Sequence, residues 1–162
     1  MAYTDRYVVS PLAAALLLEA LTALRERATV ESGTLPVAIT GREFESKSRA
    51  PQRIWHAWLS DVDRDHALQE ALDYVGFEAQ VRSEPGIEHG RMLKLVFESG
   101  KQIRIRLDQG FSYWQVDRNM SHRQQQLFDF KKDSVEQGKA LHNIAVVPCP
   151  SSIKSFMSCI SA

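Results

Sequence analysis

The chain reads as an α+β protein: a mixed, mostly antiparallel sheet, with a three-strand meander over about residues 91–117, packed against two or three helices. Three observations predict this. Arg91 to Val116, RMLKLVFESGKQIRIRLDQGFSYWQV, alternates apolar and polar residues and is broken by two glycine-bearing turns. Val8 to Leu24 and Asp61 to Val75 instead repeat their apolar residues at helical spacing. Short apolar runs at Leu35 to Thr40, Phe77 to Val81 and Ile144 to Val147 have the length of strands. Helices and strands in this mixed order suit helices lying on one face of a sheet.

The first helix starts at Ser10-Pro11, where a hydroxyl caps free amides and the proline lacks only an N–H that has no partner at the first position. Leu17, Leu21 and Leu24 form its main stripe, flanked by Leu12, Leu16 and Ala20, and Arg25 and Arg27 favour the dipole at its end. Leu35 to Thr40 is a short strand closed by Gly41, and the polar stretch Arg42 to Gln52 reads as a loop. Trp55 and Trp58, three apart, suit a helical turn. In the second long helix Ala67, Leu68, Ala71, Leu72 and Val75 form the apolar side, and Gly76 offers a left-handed cap. Phe77, Ala79 and Val81 then alternate as a strand, and Pro85-Gly86 turns the chain into the meander.

In the meander Leu93, Leu95 and Phe97 lie on one face, followed by a two-residue Ser99-Gly100 turn. Ile103, Ile105 and Leu107 continue that face, while Gln102, Arg104 and Arg106 point the other way. Asp108-Gln109-Gly110 turns into a third strand, Phe111 to Val116. Short helices over Ser121 to Leu127 and Asp133 to Leu141, then a strand at Ile144 to Val147, complete the order. Residues 1–150 are expected to form a single domain, with 151–162 as a fraying tail.

A chain of 162 residues with 44% hydrophobic and 25% charged residues is of ordinary globular composition and long enough to bury a core. Twenty basic and twenty acidic residues cancel, which argues against a generally polyanion-seeking protein. The charges are unevenly placed, however. Ile54 to Gly90 holds eight acidic and two basic residues, whereas Arg91 to Leu107 holds five basic and one acidic. Such a dipolar chain favours oriented contacts. Cys149 and Cys159 are too few for a disulfide framework or a four-ligand zinc site, which suits free thiols in a reducing cytoplasm. Glu19 interrupts Val8 to Leu24, so no transmembrane segment is expected.

The motifs that carry chemistry are mostly missing. Asp61-Val62-Asp63-Arg64-Asp65 opens like a calcium loop, but His66 stands where the glycine is needed and Leu72 where the bidentate acid should be. Carboxylates there stabilise a helix start without any metal. His56, His66, His89, His122 and His142 contain no i, i+4 pair. No phosphate-binding glycine loop or GxSxG elbow occurs, so no cofactor or metal is implied and nothing specifies an enzyme. The one catalytic alternative is a phosphodiesterase-like or nuclease-like site at His89, with Arg91 beside it; an exposed loop histidine is the plainer reading.

A binding surface is better supported. Lys94, Arg104, Arg106 and Trp114 are expected on the outward face of the meander, with Arg118 and Arg123 just beyond. Guanidinium forks suit phosphates or carboxylates, and an indole stacks on a base. The plainer alternative is a solvated face whose arginines discourage edge pairing.

The run GKQIRIRLDQGFSYWQVD resembles the sheet hairpin of the phospholipase-D-like C-terminal domain of MIT-domain proteins, matching at Arg104, Arg106, Asp108, Gly110 and Phe111. The resemblance implies a non-catalytic module that binds phosphoinositides or partners. Enzymes of the related fold carry a His-x-Lys-x-x-x-x-Asp motif. Here Arg91 replaces the lysine and Phe97 stands near the place of the acid, which speaks against phosphodiesterase activity. The expected function is therefore a non-enzymatic binding or accessory module. Its partner is an acidic protein surface or a phosphate-bearing ligand, nucleic acid included.

Overall fold

The computed structural model describes residues 1–28, 34–43, 58, 60–87, 90–107, 111 and 128–142. Their order is β1 (Ala2–Asp5), α1 (Pro11–Arg27), β2 (Leu35–Arg42), α2 (Asp61–Tyr74), β3 (Phe77–Glu84), β4 (Met92–Val96), β5 (Gln102–Arg106) and α3 (Ser134–His142). The strands form one sheet in the order β3-β2-β1-β4-β5. β1 and β3 both flank β2 in parallel, whereas β4 runs antiparallel to β1 and to β5. The chain is thus α+β with a mixed sheet packed against helices, as expected. The opening strand β1 was not anticipated, and it occupies the centre of the sheet.

Local chemistry accounts for the elements. Ser10 caps α1, its Oγ accepting from the Ala13 N–H at 3.3 Å, with Pro11 in the first turn. Ser60 caps α2 in the same way through Asp63, and Asp133 caps α3 by accepting from Glu136 at 2.9 Å. Each such cap is worth about 1 kcal/mol. Gly76, with φ of 84°, ends α2 in the left-handed region. Arg25 from the end of α1 closes over this corner, donating to the Val75 carbonyl and lying 5.6 Å from the Phe77 ring centre.

Tyr3, Val37, Ile39, Phe77 and Leu93 face the helices and bury against Leu17, Leu18 and Leu21 of α1 and Leu68, Ala71 and Leu72 of α2. α3 lies against α2 and α1, bringing Leu141 into the same core. Beside it, Trp58 meets Phe128 and Phe130 edge-on at 5.5 and 6.1 Å, and its indole donates to Gln137 at 2.9 Å. The outer edge of β3 is occupied by a side chain. Gln69 of α2 donates to the Ala79 carbonyl at 2.9 Å and accepts from the Val81 N–H at 3.0 Å, taking the place of a neighbouring strand.

The β4–β5 hairpin has the expected faces but a different turn. The Phe97 N–H bonds the Lys101 carbonyl at 2.9 Å, so the loop is three residues, Glu98-Ser99-Gly100, instead of two. Gly100, with φ of 79°, supplies the left-handed residue that such loops require. Of the expected third strand only Phe111 is described, buried against Tyr3 with ring centres 5.6 Å apart. The expected helix at Ser121 to Leu127, the strand at Ile144 to Val147 and the tail lie outside the described residues.

Candidate functional site

Two polar features stand out, on opposite faces of the sheet. The first is a row of side chains under the helices, at the carboxyl end of the parallel strands. Asp5, Gly41 and Ser83 are aligned in register across β1, β2 and β3, and Arg91 enters β4 beside Asp5. Asp5 is 1% exposed. It accepts from the Tyr3 hydroxyl at 2.7 Å and from the Tyr7 N–H at 2.8 Å, and Arg91 Nε lies 3.5 Å from its Oδ1. The Arg91 guanidinium also sits 4.8 Å from the centre of the Tyr7 ring. Burial raises the pKa of Tyr3, with Asp5 adding to the effect, so its hydroxyl remains a donor.

Further along the row Arg64 of α2, 1% exposed, lies flat over Gly41. A methyl group on Gly41 would stand 2.9 Å from Arg64 Nη2 and would push the guanidinium from its place. Arg64 donates to Asp65 at 2.8 Å, to the Arg42 carbonyl at 3.1 Å and to Ser83 Oγ. Ser83 in turn donates to Asp65 at 2.6 Å. This arrangement fixes α2 to the ends of β2 and β3.

Asp5 has a consequence for pH dependence. Burial raises its pKa, opposed by the Tyr3 hydroxyl, the Tyr7 N–H and Arg91. The folded state therefore holds this proton more tightly than the unfolded chain. The resulting stability is fully present below the ordinary carboxyl value of 3.8 and is lost as pH rises through the raised folded value. Asp5→Asn is expected to remove this component. Subtracting its Tm-against-pH curve from that of the native chain should leave a fall starting near pH 4, and a flat difference would refute it.

The second feature is the outer face of the hairpin, away from the helices. Lys94 stands directly opposite Arg104, Met92 opposite Arg106 and Val96 opposite Gln102. The face continues into β1 and β2 through Ala2, Thr4, Ala38 and Thr40 and reaches Arg82 on β3, where Arg82 pairs with Glu84 at 3.0 Å. It is thus a smooth floor of small side chains with cations along one flank.

Of the residues singled out from sequence, Lys94, Arg104 and Arg106 are brought together here. Trp114, Arg118, Arg123 and His89 lie outside the described residues. Arg91 does not join this face, because its guanidinium is engaged with Asp5 and Tyr7 on the other side. The acidic run Asp61 to Asp65 begins α2, Ser60 capping it and Asp65 pairing with Arg64. Among the described residues, no three His, Cys, Asp or Glu side chains gather as a metal-binding cluster, and no helix is long and apolar enough to cross a membrane.

Sequence reasoning missed the Asp5 row and Arg64. A signal existed for Arg64, which falls at i−3, i−4 and i−7 from Ala67, Leu68 and Ala71, on the apolar stripe of α2.

Comparison with known families gives a match to the family described as "DEAD/DEAH box helicase YjiV, C-terminal domain", which covers residues 1–158. No curated protein and no solved structure matches. The family match overturns the resemblance to the phospholipase-D-like C-terminal domain of MIT-domain proteins. That resemblance covered one hairpin, and a basic-apolar strand, a glycine turn and an aromatic are what any amphipathic hairpin on a sheet presents. Its matching residue Phe111 serves as core packing against Tyr3.

Proposed function

Because the chain belongs to the YjiV helicase C-terminal domain family, we propose that it is a non-enzymatic accessory module that contacts the phosphate backbone of nucleic acid through the outer face of the β4–β5 hairpin. The observation that carries this reading is the cross-strand pair Lys94–Arg104, with Arg106 two residues on, beside the small-residue floor of β1 and β2. The family's description names a helicase, an enzyme class that acts on nucleic acid, and this makes phosphate the favoured anion over an acidic protein surface. Arginine forks and lysine ammonium groups aligned along a strand match a row of phosphates and carry no base preference. The phosphodiesterase reading at His89 has less support, since Arg91 is tied to Asp5.

The test is the salt dependence of binding. Arg104→Glu is expected to weaken binding to any nucleic acid uniformly and to lower the slope of log K against log salt by about 1. Arg104 is exposed, so thermal stability should move by no more than about 0.5 kcal/mol. Unaltered affinity with an unaltered slope would exclude this face as the contact.

A further inference from the structure

We infer that the tip of the β4–β5 hairpin is a base-stacking site for single-stranded nucleic acid, with Phe97 as the platform. This rests on the proposed backbone contact and assigns it a substrate class. The pairing of β4 with β1 ends at Lys94, whereas the hairpin continues through the Leu95–Ile103 and Val96–Gln102 pairs. Three large apolar side chains are exposed there together: Phe97 at 46%, Val96 at 53% and Ile103 at 38%. The other exposed large apolar side chains are differently placed. Tyr74 rests against His142, Val62 and Val135 stand singly near helix starts, and Met92 lies at the base of the hairpin.

Strand alternation puts Phe97 on the face of Leu95 and Ile103, beyond the reach of the core, with Lys101 directly across from it. Lys94 and Arg104 lie on the opposite face of the hairpin, two positions back from Val96 and Gln102. An aromatic ring with cations around it is the combination by which proteins hold single strands: the ring stacks on a base and the cations follow the backbone. Duplex DNA keeps its base faces in the stack and offers only phosphates. The occupant is therefore a single strand, its base on Phe97 and its backbone beside Lys101 directly across from the ring. The left-handed Gly100 and the Phe97–Lys101 bond hold the tip in one shape, so the platform exists before binding.

Fluorescence anisotropy with the full chain, using labelled oligothymidylate and a labelled duplex of equal length, tests this. The native chain should prefer the single strand. Phe97→Ala should weaken single-strand binding by roughly 10- to 100-fold, leave duplex binding and the salt slope unchanged, and keep the native Tm. Phe97→Trp should retain the affinity, and Phe97→Leu should not. Equal binding of both forms, or full affinity in Phe97→Leu, overturns the stacking site while the backbone contact stands. Absence of binding to either probe overturns both.

Discussion

Arg64→Ala is expected to cost about 3–5 kcal/mol of unfolding free energy, the range for removing one member of a buried ion pair. For a domain of marginal stability this is a large share of the total. The loss does not come from charge alone. Arg64 serves three acceptors, Asp65, the Arg42 carbonyl and Ser83, and alanine leaves all three facing a void over Gly41. Asp65 is 15% exposed at its side chain and regains little water. Arg64→Lys separates charge from geometry, because an ammonium can pair with Asp65 but cannot span Ser83 and Arg42 as a planar fork does. It should fall between the native chain and alanine. Denaturant midpoints with unchanged m-values would measure both, and a loss below 1 kcal/mol for Arg64→Ala would show that the network orients α2 without stabilising it.

Which parts of the molecule were legible in the sequence follows from the range of the interactions. Ser10-Pro11 announces α1 because capping is settled within four residues. The hairpin is legible because Leu93 and Leu95 find Ile105 and Ile103 across a short loop. β1 was not, since four residues carry little periodicity and its partners, β2 and β4, lie 36 and about ninety residues on. For the same reason the alignment of Asp5, Gly41 and Ser83 has no local signature. Arg64 was missed for a different reason. Flanked by Asp63 and Asp65 it looks like part of a solvated run, yet the helical period turns it inward while Asp63 stays exposed and Asp65 bonds Arg64 and Ser83. That Lys94, Arg104 and Arg106 share one face follows from alternation along two paired strands alone, whereas Trp114, expected beside them, lies outside the described residues. Arg91 precedes β4 at the sheet end, where Asp5 draws it to the helix side.

The two faces of the sheet also divide the labour. At the carboxyl end, the ties of Arg91 to Asp5, of Arg64 to Arg42 and Ser83, and of Ser83 to Asp65 join elements to one another on the helix side. The outer face carries cations with few such ties among the described residues. Substitutions on the helix side should therefore read out as stability, and those at Lys94, Arg104 or Phe97 as binding.

Gly138→Ala is the second large effect, and its sign is the informative part. Taken alone, replacing a glycine inside α3 with alanine should stabilise by up to about 1 kcal/mol through helix propensity. The packing opposes this. A Cβ at Gly138 would lie 2.8 Å from Glu70 Cβ, 2.9 Å from the Ala71 nitrogen and 3.1 Å from the Ala67 carbonyl oxygen. Two of these three are backbone atoms of α2, so relief requires the helices to part rather than a side chain to turn. Overpacking of this kind costs about 1–3 kcal/mol, so the net effect should be destabilising. Gly138→Val should be worse, since it adds two more carbons and loses the propensity gain. The separation should also stretch the neighbouring Gln137–Trp58 bond, now 2.9 Å, and loosen the ring contacts of Trp58 with Phe128 and Phe130. A lowered Tm accompanied by a weakened near-UV aromatic signal is the expected result. A raised Tm in Gly138→Ala would mean that α2 and α3 do not cross at this glycine.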